Sequence, residues 1–412
     1  GALQDMNVTD GSHTFNTALG FAAGESTSTG AQNTFVGANA GNGNTTAANN
    51  VAVGYQSLLT NTTGATNVAV GTFAMLANTS ASNNVAVGQS AMQANTTGTA
   101  NTAVGSFALD ANTTAANNTA FGNHALGATT TGASNVAVGR NALAALTTAA
   151  SNCAFGTGAG IACTTGTENI FIGNNVAAAL TTGSQNIIIG DNAAASAAIT
   201  GSNHVVIGDN AGYKLTGSVA STVVIGGQGG KNMTSSANCI VLGFEAGFTG
   251  SPGGNLTTDD NSIRLGDENI QTAHIQVDWT VASDQRDKTD FTDLDLGLDF
   301  VKELSPVTYK WDKRSKYGNK NADDYDLNAQ TPDGTHKEDW LDIGFKAQEV
   351  EALEIAAGYN KGNKTNLTTT STGDGNQMGL QYTKFIPILV KAIQEQNTLI
   401  EALTSRITTL EG

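Results

Sequence analysis

The chain has 412 residues and a formal net charge of −16, yet only 13% of its residues are charged and 6% are aromatic, while 49 are Gly. The acidic balance argues against nucleic acid or an anionic membrane surface as a partner, because phosphate binding needs clustered Lys and Arg. Three cysteines (Cys153, Cys163 and Cys239) are too few and too scattered for a disulfide framework or a zinc site. Many small, uncharged residues indicate a chain that buries itself in thin layers.

After an N-terminal arm, predicted over residues 1–12, one short motif typified by NVAVG recurs through residues 13–268. Its glycine returns every 17 residues from Gly20 to Gly190 and then at looser spacing up to Gly266. Val, Ile and Thr favour a strand, and the following Gly permits a tight bend. The repeat therefore predicts an all-β solenoid of 17-residue parallel β-roll repeats, in which each rung covers the apolar face of the last.

Three features of each rung can be assigned from the repeat. Side chains alternate along a strand, so Val51 and Val53 share one face and Ala52 takes the other. Small and larger apolar residues such as Ala74 and Met75 supply a second layer. An Asn opens successive strands and predicts a structural ladder of stacked amides, formed by Asn50, Asn67, Asn84, Asn101, Asn118 and Asn135.

A rod of mostly Val and Ala exposes a stripe of small apolar side chains, which favours association of several rods. The segment NVAVGQSA, from Asn84 to Ala91, resembles the head repeat of trimeric autotransporter adhesins. The resemblance implies a trimer of left-handed β-rolls. The repeat of those heads is typically shorter than 17 residues, so the geometry of each coil stays open.

Residues 269–282 are predicted as a linker strand, and from Ser283 the composition becomes that of a small α/β domain, predicted over 283–412. Charged residues return abruptly in the stretch VASDQRDKTDF, residues 281–291. The pattern predicts alternating helices and strands separated by two polar stretches, 312–339 and 360–377. The predicted elements are a helix over 294–304, a strand over 307–311, a strand over 343–345 and a helix over 347–353.

The last element, residues 385–410, is predicted as a coiled-coil helix about 40 Å long. Ile at one core position with Leu at the other favours two strands in isolated parallel coils, whereas a trimeric body could override so short a coil. Gln396 interrupts the seam. The seam residues, predicted to mediate trimerisation, are Ile386, Leu389, Ile393, Ile400, Leu403, Ile407 and Leu410.

Four ordered blocks resemble the C-terminal intramolecular chaperone domain of phage tail fibres and tailspikes, including endosialidases, a domain also classed as a self-cleaving peptidase. The blocks are WTVASDQRDK (Trp279 to Lys288), LSPVTYKW (Leu304 to Trp311), GFKAQEVE (Gly344 to Glu351) and LQYTKFIPILVKAIQEQ (Leu380 to Gln396). The resemblance implies a domain that trimerises, helps a β fibre to fold in register and then cuts the chain.

On these residues the scissile bond is Ala282–Ser283, with Ser283 as nucleophile and Lys288 as general base. The chemistry is plausible, because a Ser hydroxyl needs an adjacent base and Lys serves once burial favours its neutral form. Asp284 and Arg286 are expected to form a structural pair. Asp287 stands where the family usually has Leu, which leaves the activity of this copy open. We expect no cofactor, no metal and no activity on an external substrate.

The sequence therefore predicts a homotrimeric viral tail fibre, folded in the host cytoplasm and carried on the virion. It would attach to the virion through a further N-terminal region and bind a bacterial polysaccharide or outer-membrane component. The alternative is a bacterial trimeric surface adhesin with the same chaperone domain. Exposed residues after the repeat glycines are candidates for a saccharide-binding track: Tyr55, Phe73, Gln89, Phe107, His124 and Arg140.

Two further classes are disfavoured. An ice-binding solenoid needs Thr aligned in every rung, and we expect the pairs Thr62–Thr63 and Thr96–Thr97 to lie in turns and to shift between alternate rungs. A lyase or glycosidase needs clustered carboxylates, which residues 20–190 almost lack.

Overall fold

The computed structural model describes residues 1–3, 14–196, 198–216, 221–276, 280–320, 322, 324–362, 365–372 and 374–412. Most of the predicted N-terminal arm, and Trp279 of the first chaperone block, lie outside these residues. The chain divides into two compact units, the first comprising Gly1–Phe248 with Leu256–Asp267 and the second comprising Thr249–Asn255 with Glu268–Gly412. No helix among the described residues is long and apolar enough to cross a membrane.

The first unit is a parallel β-solenoid, which confirms the predicted fold class. Its 15 strands, each three residues long, form one sheet in chain order, and each residue pairs with its equivalent in the next rung, as Val51 does with Val68. At about 4.8 Å per strand the sheet is roughly 70 Å long. The strands are Thr17–Leu19 (β1), Thr34–Val36, Val51–Val53, Val68–Val70, Val85–Val87, Thr102–Val104, Thr119–Phe121, Val136–Val138, Cys153–Phe155, Ile170–Ile172, Ile187–Ile189, Val205–Ile207, Val223–Ile225, Ile240–Leu242 and Ile263–Leu265 (β15).

The core of the solenoid is two side chains thick. The middle residue of a strand, such as Ala52, is fully buried, as is a second residue from the turn, such as Met75. The two positions compensate in volume. Where the strand centre is Phe35, a Cβ added at Gly24 or Gly41 would lie 2.6 or 2.4 Å from the ring. The close-packed interior accommodates Phe35 because Gly at these neighbouring positions carries no side chain.

Two separate constraints, backbone conformation and close approach of the next rung, require glycine at the position that follows a strand. Gly71 has φ of +138°, a conformation that L side chains rarely adopt, and a Cβ there would lie 2.4 Å from the carbonyl oxygen of Gly88 in the next rung. Any side chain would therefore force successive rungs apart. This steric constraint explains why the 17-residue register of the glycine is kept.

The predicted Asn ladder is present and buried. The Asn67 backbone N–H donates to Oδ1 of Asn50 at 2.9 Å, and Nδ2 of Asn67 donates to the carbonyl of Ala81 at 2.8 Å. A second buried ladder was not predicted: Nδ2 of Asn78 donates to Oδ1 of Asn61 at 2.8 Å, and Asn95 repeats the bond to Asn78 at 2.9 Å. Both ladders satisfy buried amides and join consecutive rungs.

The predicted shift of the Thr pairs between alternate rungs is wrong. Oγ1 of Thr62 donates to the carbonyl of Thr79 at 3.0 Å, and Oγ1 of Thr79 donates to that of Thr96 at 3.1 Å, so Thr stacks on Thr in consecutive rungs. The sequence suggests a difference between alternate rungs because Gly and Ala alternate at the next turn position, as in Gly64 and Ala81. In each of these pairs one Thr hydroxyl already donates a hydrogen bond to a backbone carbonyl of the next rung.

The second unit is a small α/β domain with two short antiparallel sheets, ending in a long helix. Its core consists of Leu296, Phe300, Val350, Phe385 and Ile388. The elements are α1 Leu298–Glu303, β16 Val307–Tyr309, β17 Asp342–Gly344 (paired with β16), α2 Ala347–Ala356, β18 Thr369–Ser371, β19 Met378–Leu380 (paired with β18) and α3 Phe385–Glu411.

Element boundaries in this unit differ from the prediction. The first helix begins at Leu298 rather than at residue 294, because Gly297 lies outside helical geometry and the preceding Leu296 is buried in the core outside any helix. The polar stretch 360–377 holds strand β18 and the turn that leads to β19, which the sequence did not reveal. A buried carboxylate holds this hairpin: Glu354 accepts hydrogen bonds from the Thr368 hydroxyl at 2.7 Å and from Thr369.

Candidate functional site

The predicted nucleophile and base are adjacent in space. Ser283 precedes a single 3-10 turn, Gln285–Asp287, whose N-terminus is capped by the Asp284 carboxylate accepting from the Arg286 backbone N–H at 2.9 Å. The turn brings Lys288 back over Ser283, and Nζ of Lys288 donates to Oγ of Ser283 at 2.6 Å. Local backbone geometry thus joins two residues five positions apart.

The neighbouring charges stabilise this turn. Arg286 and Asp284 form an ion pair of 2.6 Å. The Arg286 side chain is the main cause that lowers the pKa of Asp284, with the Arg286 backbone N–H adding to it, and the same ion pair raises the pKa of Arg286. Asp284 is therefore an ionised capping residue. Among the ion pairs of the described residues, none joins Asp287 to Lys288; the Lys288 ammonium instead contacts Ser283.

The site is open to solvent in the single chain. The side chains of Ala282, Ser283 and Lys288 are all exposed. A Lys amine accepts a proton only in its neutral form, which desolvation favours. Ser283 and Lys288 are thus in the contact that the reaction requires, whereas a single chain does not bury the Lys288 side chain.

Helix α3 presents two apolar faces. Phe385, Ile388 and Ala392 are buried, and the Glu395 carboxylate accepts from the Leu298 N–H at 2.7 Å, which fixes the start of α1. The other face is exposed and contains every predicted seam residue. Their exposed fractions are Ile386 61%, Leu389 44%, Ile393 64%, Ile400 53%, Leu403 55%, Ile407 54% and Leu410 85%.

A second group of candidate residues lies at the turn that follows each strand. The rings of Tyr55 and Phe73 meet edge to face at 5.6 Å, and those of Phe107 and His124 stack at 4.9 Å. Phe73, Phe107 and His124 have φ of 62°, 60° and 56°. Gln89 and Arg140 are exposed at the same turn.

The left-handed backbone at this turn recurs in other rungs, where the residue is mostly Asn, Gln or Ser. Examples are Asn39, Gln56, Ser90, Asn141 and Asn175. Asn and His tolerate this conformation, whereas Phe there is an outlier. Phe73 in rung 4 and Phe107 in rung 6 of the solenoid therefore depart from the local rule.

Residues 283–359 match the family model described as chaperone of endosialidase, which is a peptidase family. The match begins at Ser283 and includes the second and third sequence blocks, whereas the closing helix lies beyond it. No curated protein matches the chain. The family match and the β-solenoid fit the sequence-based identification of a tail-fibre chain with a C-terminal intramolecular chaperone domain.

Proposed function

We propose that this chain is the shaft and C-terminal chaperone of a homotrimeric viral tail fibre that attaches a virion to a bacterial surface. The observation that carries the proposal is the family match beginning at Ser283, together with the 2.6 Å contact between Ser283 and Lys288. The fibre is extracellular on the virion and folds in the host cytoplasm. A further N-terminal region would bind the virion tail.

Trimerisation is supported by two apolar surfaces that a single chain leaves exposed. The α3 seam is one of them, and burial of each Ile or Leu there contributes about 1.5–3 kcal/mol. The outward strand residues of the solenoid are the other: Ile170 is 37% exposed and Ile172 is 40% exposed. Three chains joined by α3 would bring their solenoids together at high effective concentration.

The oligomeric state is tested by the native mass of the full chain. We expect a trimer for the wild type and a monomer for Ile393→Asp with Ile400→Asp, because two carboxylates cannot be buried unpaired in the seam. Ser405→Asp, on the outward side of the same helix, is the matched control and should stay trimeric. A wild-type dimer would favour the alternative that Ile and Leu in this seam predict.

Self-cleavage follows from the dyad once assembly covers it. Oγ of Ser283 attacks the Ala282 carbonyl carbon, and neutral Lys288 takes the hydroxyl proton. The Ala282–Ser283 C–N bond breaks, the Ser283 nitrogen gains a proton, and water hydrolyses the resulting ester. Because the dyad is exposed in one chain, we propose that neighbouring chains supply the desolvation, so that cleavage reports completed trimerisation.

Attachment to a saccharide is supported by the aromatic turn residues. A protein retains residues in unfavourable backbone conformations where function requires them. Phe73 and Phe107 are such residues, and their rings, with those of Tyr55 and His124, can stack on sugar rings, while Gln89 and Arg140 offer hydrogen bonds. The receptor is a bacterial surface polysaccharide in this proposal.

The second candidate is a bacterial trimeric surface adhesin that carries the same chaperone domain. The head-like repeat NVAVGQSA, from Asn84 to Ala91, favours it. The neighbouring genes discriminate the two: tail and capsid genes support the fibre, and secretion genes without them support the adhesin.

A further inference from the structure

The second unit contains chain from both sides of the Ala282–Ser283 bond. Thr249–Asn255 and the residues from Glu268 onward belong to it, and so does everything that follows Ser283. A cut at this bond would therefore divide one compact unit into two pieces. What happens next depends on the contacts between those pieces.

The first set of contacts surrounds Glu268, whose carboxylate side chain is 4% exposed. It forms an ion pair of 2.7 Å with Lys320, itself 17% exposed. Nζ of Lys313 donates to the Glu268 backbone carbonyl at 2.6 Å, and Lys316 donates to the Asn269 side chain. Three lysines from the C-terminal side thus bind two consecutive residues on the N-terminal side.

The second set involves residues 249–255. The Asn255 backbone N–H donates to Oδ2 of Asp374 at 3.1 Å. Two buried glycines pack tightly: a Cβ added at Gly250 would lie 2.2 Å from Cβ of Ser315, and one added at Gly254 would lie 2.6 Å from Cβ of Thr372. The backbone of this segment fits against the C-terminal piece without room for a side chain.

These two sets of contacts are independent of the peptide bond that the cut removes. Removing one partner of a buried, hydrogen-bonded ion pair leaves an uncompensated buried charge and strongly destabilises the structure. An ion pair on the surface contributes little to stability. The pair of Lys320 with Glu268 is of the first kind. Hydrolysis at 282/283 leaves it intact.

We propose that the C-terminal piece, residues 283–412, stays bound after cleavage, held by residues 249–255 and 268–269 of the N-terminal piece. The inference rests on the proposed self-cleavage for its biological setting. Cleavage then removes the covalent link without removing the domain. The fibre keeps its C-terminal tip until the contacts of Lys320 and its neighbours with the N-terminal piece are broken.

The test makes the cut by an external protease, so that its outcome does not depend on self-cleavage. A site-specific protease sequence is inserted between Ala282 and Ser283 in the full Ser283→Ala chain. The cut protein is run on size-exclusion chromatography at physiological salt, and the fragments are identified by denaturing mass. We expect both fragments in one peak. Separate peaks would overturn the proposal.

Variants identify the contacts that hold the pieces together. Lys320→Met with Gly254→Val should reduce the bound fraction at least tenfold, because the ion pair is lost and the Val side chain displaces Thr372. Lys302→Met removes an exposed ion pair with Asp299 and is the control that should leave the bound fraction unchanged. Unchanged retention in the double variant would also contradict the assignment. Native size and melting of each uncut variant establish that it has folded.

Discussion

In the first eleven rungs of the solenoid each rung repeats the ladder contacts of the rung before it, whereas in the second unit each contact occurs once. Asn67 bonds to Asn50 as Asn84 bonds to Asn67, always 17 residues apart. In the second unit the Asn255 N–H reaches Asp374, 119 residues away. In a repeat protein the total stability is approximately the sum of similar contributions from each rung and each interface between rungs. The same repetition allows a rung to pair in a wrong register. The unique contacts of the second unit have no alternative register.

The different roles proposed for the two units in folding follow from that difference. Long-range β pairing is slow, and a chain of near-identical strands can be trapped in shifted pairings. In the proposed function, a compact domain with an apolar helix seam would hold three chains together while the rungs pair. The proposed cleavage would remove the covalent link afterwards, make the folding step irreversible and leave the folded fibre kinetically stable.

The largest effect is expected from a side chain at a strand-ending glycine. Gly71→Ala combines positive φ with a 2.4 Å clash against the Gly88 carbonyl, and should cost more than about 3 kcal/mol in unfolding free energy. Gly334→Ala, also at positive φ but with open space around it, should cost about 1 kcal/mol. Chemical denaturation measures both, and equal effects would mean that the close approach of rungs carries no weight.

A smaller loss is expected from breaking the Asn ladder. Asn84→Ala removes the acceptor of the buried Asn101 N–H and leaves that backbone group unsatisfied, whereas the Gly98 carbonyl loses one of two donors and keeps Nδ2 of Asn95. The expected cost is about 1–3 kcal/mol. Asn123→Ala, an exposed amide that bonds to the Ser106 carbonyl, should stay within about 0.5 kcal/mol of the wild type. Thermal unfolding followed by far-UV circular dichroism distinguishes the two.

The two units should differ in their stability to acid. Burial would raise the pKa of Glu354, but hydrogen bonds from Thr369 and Thr368 outweigh it and hold the pKa below its ordinary value of 4.5. A lowered folded-state pKa stabilises the fold above the ordinary value, and this stabilisation is lost as the pH falls through the folded-state pKa. The second unit should therefore unfold in acid before the solenoid, whose early rungs hold few carboxylates.

Tryptophan fluorescence reports this transition selectively, because Trp279, Trp311 and Trp340 all follow residue 268 in the chain. Glu354→Gln should lower the stability at pH 7 by about 1–3 kcal/mol and weaken its dependence on pH below 4.5. Glu349→Gln, whose carboxylate forms an exposed pair with Lys346, is the control. An unchanged acid midpoint in Glu354→Gln would contradict the assignment.

The smallest effect on stability is expected where the repeat is broken by aromatic residues. Phe107→Asn restores a residue that suits positive φ, so the solenoid should be equally stable or more stable by up to about 1 kcal/mol. Binding of the fluorescently labelled protein to the bacterial surface should nevertheless fall. Gln228→Asn, at the same position of a distant rung, should leave both quantities unchanged. A fall in stability with unchanged binding would assign Phe107 a structural role.

How far the sequence predicts each region follows from the same difference. The strands and the first Asn ladder could be predicted because steric demands at Gly71 and its equivalents recur every 17 residues. The second ladder and the aligned Thr were missed, because Gly and Ala alternate beside them and imitate a double period. The β18–β19 hairpin was missed because its Thr, Gly and Asn residues resemble a loop, and only the buried Glu354 explains their order.

In the candidate site, local spacing allowed Ser283 and Lys288 to be paired before the fold was known. The roles of these two residues, of the bond before Ser283 and of the α3 seam stay predictions. The contacts of Lys320 with Glu268 had no sequence signal, since 52 residues separate them and nothing in the intervening chain repeats.

The most direct test is the mass of the purified chain under denaturing conditions, for the wild type and for Ser283→Ala. We expect two wild-type fragments that meet between Ala282 and Ser283, and a single intact chain for Ser283→Ala. An intact wild-type chain within a fully formed trimer would contradict self-cleavage, and Asp287 would be the first residue to replace with Leu.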